Sequence, residues 1–203
     1  MKISKNLIVL LLTLVFFFII HSYTFREPEI YWYLYPFIIL ICVAVSIVSM
    51  NQKDDMPIWK CFIFGLGYGV ILYGIIRLLY ILLNSINKDW IHSITKYITT
   101  FGPSNIWHYL ILIFIVVVGE ELFWRGFVQQ RIKDWTSPFI SIVISSLLFA
   151  GAYMVGGYFS YGMIIFVFGL IVGSLYEWKK SMPLIIVVHE VFVILFFLLI
   201  PFT

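Results

Sequence analysis

The chain is divided into apolar runs of a length that a lipid bilayer requires. Seven can be drawn, at 5–20, 31–49, 61–83, 106–128, 139–154, 160–176 and 182–200. A helix that crosses the hydrocarbon core needs about 20 predominantly apolar residues. Lipid offers the backbone no hydrogen bonds, so each run must satisfy its own amides and is read as a helix. The expected fold is all-α, a polytopic transmembrane helical bundle of about seven spans in a cell membrane, with membrane lipids around it. Composition agrees: 63% of the 203 residues are apolar and 11% are charged, where a soluble domain carries about 25% charged residues. That excludes a soluble enzyme, a disordered tail and a secreted disulfide scaffold. No nucleic-acid partner is expected, because the net charge is +3 and the Lys and Arg residues are scattered between the runs. Cys42 and Cys61 lie beside or within apolar runs and lack metal-ligand spacing, so a structural disulfide is not expected.

The first run follows Lys2 and Lys5 and looks like a signal sequence. His21, Ser22, Tyr23, Thr24 and Phe25 follow it in place of a small-residue cleavage site, which makes it an uncleaved anchor. Starting inside, Lys2, Lys5, Lys53, Lys60, Arg131, Lys133, Lys179 and Lys180 fall on the cytoplasmic side. Arg26, Lys88 and Lys96 fall on the other. This bias predicts a cytoplasmic amino terminus. Segment 88–101 places Ile91, Ile94, Tyr97 and Ile98 on one helical face and is expected to lie along the outer interface. Gly65 with Gly69, and Gly169 with Gly173, have the spacing that lets neighbouring helices approach closely.

Polar groups inside the runs carry the information about chemistry, since a charge at mid-membrane costs roughly 2.5–3.5 kcal/mol on insertion scales. Asp54, Asp55, Asp89 and Asp134 all fall in predicted loops, which argues against an intramembrane aspartyl protease. Glu120, Glu121 and Glu190 fall within runs, and His189 adjoins the last of these. Glu121 and Arg125 are four apart and can pair on one helical face. Glu120 is turned about 100° away, so the two carboxylates should separate in proton affinity. One is held ionised by Arg125, and the other is left to accept a proton from water as a general base. A plainer reading is a charge cluster that marks the end of a span. His189 lies roughly 10 Å from the cytoplasmic end of its run and Glu120 roughly 13 Å from the same end of its own. The two can therefore meet in one cavity, expected to open to the cytoplasm, although a lone membrane histidine also serves as a packing hydrogen bonder. The pattern His189-Glu190-x-x-Val193 lacks the second histidine of a zinc site. No Gly-x-Ser-x-Gly context, Ser–His pair, broken-helix repeat or phosphate loop is visible, so neither a metal nor a cofactor is expected. Arg77 is read as structural or snorkelling, and Tyr153 and Tyr161 as packing or interface aromatics.

The run Glu120-Glu121-x-x-x-Arg125, followed by Gly126-Phe127, resembles the first motif of the CPBP (Abi) family of intramembrane proteases, which includes the type 2 CAAX prenyl protease. Leu148-Phe149-Ala150, Phe168-Gly169 through Gly173-Ser174-Leu175-Tyr176, and His189 follow in the family's order. The resemblance covers about 106–200. Within what is read as a single membrane domain, it implies amino-terminal helices with an outer interfacial segment, 1–105, and a CPBP-like protease core, 106–203. It also implies a glutamate and a histidine that activate water, with a second histidine and an asparagine that stabilise the oxyanion. Glu120 matches the base, Glu121 with Arg125 the supporting pair, and His189 the histidine of the last motif. Two positions depart from the pattern: Tyr153 stands where the second motif has histidine, and Val193 where the last has Asn or Asp. Tyr153, the deeper by helix arithmetic at roughly 21 Å along its run, can still donate a hydrogen bond; Val193 cannot.

Two functions follow from this resemblance, and a small-solute transporter or an unrelated scaffold is a third reading outside it. One is a bacterial-type endopeptidase that cleaves a membrane-associated protein or peptide, whether a prenylated protein, a bacteriocin leader or a signalling peptide. The other is a catalytically degenerate member that binds a partner in the same cavity as a bacteriocin-immunity or regulatory factor. Glu190, His108 and Tyr161 are the candidates to fill the missing roles. Oligomeric state is not legible.

Overall fold

The computed structural model describes residues 5–49, 54 and 56–201. Lys2 and Lys53, used above to assign the cytoplasmic side, and Asp55, expected above in a loop, lie outside the described residues. Among the described residues there are eight helices and no strand: α1 Lys5–Thr24, α2 Tyr31–Ser49, α3 Ile58–Ile86, α4 Lys88–Phe101, α5 Ile106–Lys133, α6 Pro138–Val155, α7 Phe159–Lys179 and α8 Met182–Leu199. All except α4 are long and apolar enough to cross a membrane, which gives the seven spans of a multi-pass membrane protein. The apolar runs understate several helices. α3 begins three residues earlier and ends three later than its run, and α5 continues to Lys133, because interfacial polar residues extend a helix beyond its apolar stretch.

Local chemistry sets the helix starts. Side chains accept backbone N–H groups at the N-caps: Asn87 from Asp89, Asn105 from His108, Ser137 from Ile140 and Ser181 from Leu184. Pro138 and Pro183 occupy first-turn positions, where no N–H is needed. α4 buries Ile94, Tyr97 and Phe101 and exposes Lys88, His92 and Lys96, so the expected two-faced helix is present.

Antiparallel alternation gives the bundle two ends. At one, Ser181 donates to Asp54 (3.2 Å) and Lys133 to Glu177 (2.8 Å). At the other, the ring of Phe25 packs on Tyr97, Phe101 and Tyr158. α5 is central and touches α1, α2, α6, α7 and α8. The glycine pairs are close-approach points. A Cβ on Gly65 or Gly69 would strike Val187 or Val191 of α8, and one on Gly173 would lie 2.8 Å from the Gln129 side chain of α5. Phe62, Ile63, Leu66, Val70 and Ile71 of α3 face outward, as lipid contact requires.

Candidate functional site

Glu120 and Glu121 lie on a short α-helical stretch, Val118–Glu121, between two π-helical stretches of α5, Leu112–Val117 and Leu122–Gln129. Turns of this wider kind recur at functional sites because they rotate side chains away from the regular helical register. Gly119 precedes the pair. A Cβ there would collide with Ile39, so α2 lies directly against α5 at this level.

The two carboxylates face different surroundings. Glu121 is fully buried; its Oε2 lies 3.3 Å from Arg125 Nε and its Oε1 2.7 Å from His189 Nδ1. One carboxylate thus anchors both an arginine and an imidazole. The guanidinium carbon of Arg125 also sits 4.9 Å above the ring centroid of Phe149 and 5.7 Å from that of Phe168, aromatic faces that favour a cation. Glu120 instead lines a cleft. Tyr35 and Tyr153 both donate to its Oε1, the latter at 3.2 Å. Its Oε2 lies 3.9 Å from His189 Nε2. Glu121 therefore fixes the imidazole through Nδ1 and leaves Nε2 directed at Glu120, the arrangement by which a carboxylate orients a working histidine.

The cleft encloses about 630 Å³ of empty space, counting its mouth. Glu120 and His189 are at its floor, and Tyr31, Trp32, Tyr97, Phe101, Tyr161 and Phe197 are among its walls. Tyr31 and Tyr97 join hydroxyls at 3.2 Å, and Tyr97 stacks on Tyr161 with ring centroids 3.9 Å apart. This lining belongs to the end of the bundle that carries α4. It is not the end that the charge bias predicts to be cytoplasmic, toward which the cavity is expected to open. The expectation counted residues along single helices; neither the cleft's direction nor α4 across its end enters such a count.

Glu120, Glu121, Arg125, His189 and Tyr153 are thus brought together. The extra depth expected of Tyr153 does not separate it from Glu120, because a tyrosine side chain reaches along the bundle and helix levels are offset by packing. Val193 lines the cleft and offers no polar atom. Of the candidates for the missing roles, Tyr161 lines the wall but bonds no residue of the floor. His108 is engaged with Ser104 (3.2 Å) and stacked on Trp32. Glu190 does not line the cleft. Arg77 donates to the Pro201 carbonyl at 3.0 Å, a structural contact.

Sequence reasoning missed Tyr35 and His21. Tyr31 and Tyr35 are one turn apart within an apolar run, the only signal that α2 presents hydroxyls on one face. His21 is fully buried with neither ring nitrogen hydrogen-bonded, and it packs on the rings of Phe17, Phe25, Tyr35 and Tyr153. It sits behind the two tyrosines that hold Glu120.

Residues 102–195 match the family described as type II CAAX prenyl endopeptidase Rce1-like. No curated protein and no solved structure matches the chain significantly.

Proposed function

We propose, from the premise that residues 102–195 are a domain of the Rce1-like type II CAAX prenyl endopeptidase family, that this membrane protein hydrolyses a peptide bond within a membrane-associated protein or peptide. What carries the reading is the 3.9 Å separation of Glu120 Oε2 and His189 Nε2 at the floor of a cleft. A water about 2.8 Å from each atom forms a compact triangle with them, within ordinary hydrogen-bond reach of both.

In this reading Glu120 takes a proton from the water as its oxygen attacks the scissile carbonyl carbon. Nε2 of His189, when protonated, donates to the carbonyl oxygen as charge develops there, with Glu121 holding the ring and Arg125 balancing Glu121. The hydroxyls of Tyr35 and Tyr153 orient Glu120, and Tyr153 is the polar group at the position where the family motif has histidine. When the C–N bond breaks, the proton held by Glu120 passes to the departing amine. The division into amino-terminal helices, 1–105, and a protease core, 106–203, belongs to the same proposal, as does the cytoplasmic amino terminus.

A second reading rests on Val193, whose apolar side chain faces the cleft where the family pattern has Asn or Asp. Loss of one oxyanion donor typically costs about 10²–10³ in rate, which favours a degenerate member that binds a peptide in the cleft as an immunity or regulatory factor. Reconstitution with membrane-anchored peptide libraries separates the two. The enzyme reading expects product from the natural chain and none from Glu120→Ala. Equal peptide binding by both, with product from neither, establishes the binding reading instead.

A further inference from the structure

The charge asymmetry of the bundle and the direction of the cleft are independent observations, and together they specify the side from which the site is reached. Among the described residues, Lys5, Lys60, Arg131, Lys133, Lys179 and Lys180 gather at the end where Ser181 bonds Asp54. Arg26, Lys88 and Lys96 are at the other end. Short loops rich in Lys and Arg are retained in the cytoplasm, and acidic residues count for little in that rule. The first end is therefore the cytoplasmic one.

The cleft belongs to the second end. Glu120 is fourteen residues from the start of α5 and thirteen from its finish, so the floor lies near mid-membrane, and the walls rise from it only toward α4. Trp32 stands at the start of α2, Tyr161 at the start of α7, and Phe196 and Phe197 at the finish of α8. α4 lies across this mouth with Tyr97 and Phe101 in the wall and Lys88, His92 and Lys96 exposed.

The lining also limits what enters. Among the described residues no Lys or Arg contributes to it, and Glu120 with His189 are its charged or chargeable groups besides tyrosine hydroxyls. A carboxylate terminus would find no Lys or Arg in the walls to pair with and would face Glu120 at the floor. An uncharged chain interior with large apolar side chains fits the ring-lined walls, so the cut falls within a chain rather than at its carboxyl end.

We infer that the cleft takes its substrate from the non-cytoplasmic side, and that this substrate is an apolar stretch within a membrane-anchored peptide whose scissile bond lies outside the cytoplasm. The substrate class rests on the proposed hydrolysis; the sidedness rests on the proposed cytoplasmic amino terminus and not on the hydrolysis. Such a peptide must already have been exported, so the reaction follows translocation.

Single cysteines placed at Lys96, Phe197 and Asp134 of the full chain test the sidedness in intact cells with a membrane-impermeant maleimide; the natural chain, whose two cysteines are buried, is the control. Lys96→Cys and Phe197→Cys are expected to label before permeabilisation and Asp134→Cys only after it. The reverse pattern overturns the inference and leaves the proposed hydrolysis standing. The substrate class is tested with chain of known orientation in vesicles, offered an anchored apolar peptide on either face. Cleavage only from the face carrying Lys96 supports it, and cleavage only from the face carrying Asp134 overturns it. With the expected labelling, absence of cleavage from both faces overturns the proposed hydrolysis and the substrate class with it, not the sidedness.

Discussion

The floor and the walls of the cleft are built by different means. The floor is ionic and local: Glu120, Glu121 and Arg125 lie within two turns of α5, and one long-range partner, His189, completes it. The walls are aromatic and assembled from distant segments, with Tyr35 meeting Glu120 across 85 residues and Tyr31 meeting Tyr97 across 66. The contrast has a physical cause. Charges inside lipid need neutralising partners held at fixed spacing, which one helix supplies through neighbouring positions. Rings need only packing and occasional hydroxyl partners, which any adjoining helix can provide.

This comparison can be broken experimentally, beginning with the floor. Glu121→Leu leaves the buried Arg125 charge without its carboxylate and frees His189, and breaking a buried pair in this way costs about 3–5 kcal/mol. Thermal unfolding in lipid should show that loss, and the double variant Glu121→Leu, Arg125→Leu should recover most of it. A Glu121→Leu protein as stable as the natural chain would remove the ionic floor from the account.

The walls are expected to respond less. Tyr35→Phe and Tyr153→Phe each delete one donor to Glu120 and keep the ring. Hydrogen bonds to charged groups contribute about 1.5–3 kcal/mol to stability, so each variant should lose up to that amount in the same melts, less than Glu121→Leu, and should slow hydrolysis because Glu120 loses an orienting donor. Because the two hydroxyls share one carboxylate oxygen, the double variant should be non-additive. Strict additivity would mean that they act on different species. The smallest effect belongs to His21→Leu, a nearly volume-conserving exchange that deletes no hydrogen bond, because neither ring nitrogen of His21 makes one. It should cost less than about 1.5 kcal/mol in stability, measured by the same melts. A larger loss would make His21 part of the floor rather than packing behind the tyrosines.

The same division explains what could be read beforehand. The seven spans and α4 were legible because apolar length and helical periodicity are properties of contiguous residues. The Glu120–Glu121–Arg125 cluster was legible for the same reason, and His189 because a polar group within an apolar run stands out. Tyr35 and His21 were not, since an aromatic near the end of a span has a sufficient interfacial explanation and its partner is fixed only by how α1 and α2 pack on α5. The end of the bundle toward which the cleft opens was not legible for the same reason. Depth along one helix says nothing about which end its neighbours splay open.

The central claim, that Glu120 and His189 share a water and use it for hydrolysis, is tested most directly by isotope. The natural chain and Glu120→Gln, each confirmed folded in lipid vesicles, are given an anchored peptide in water enriched in oxygen-18, and the newly formed carboxyl group is examined by mass spectrometry. The account predicts one heavy oxygen in the product of the natural chain and almost no product from Glu120→Gln. Product formed equally well by Glu120→Gln, or released by the natural chain without the label, would contradict it.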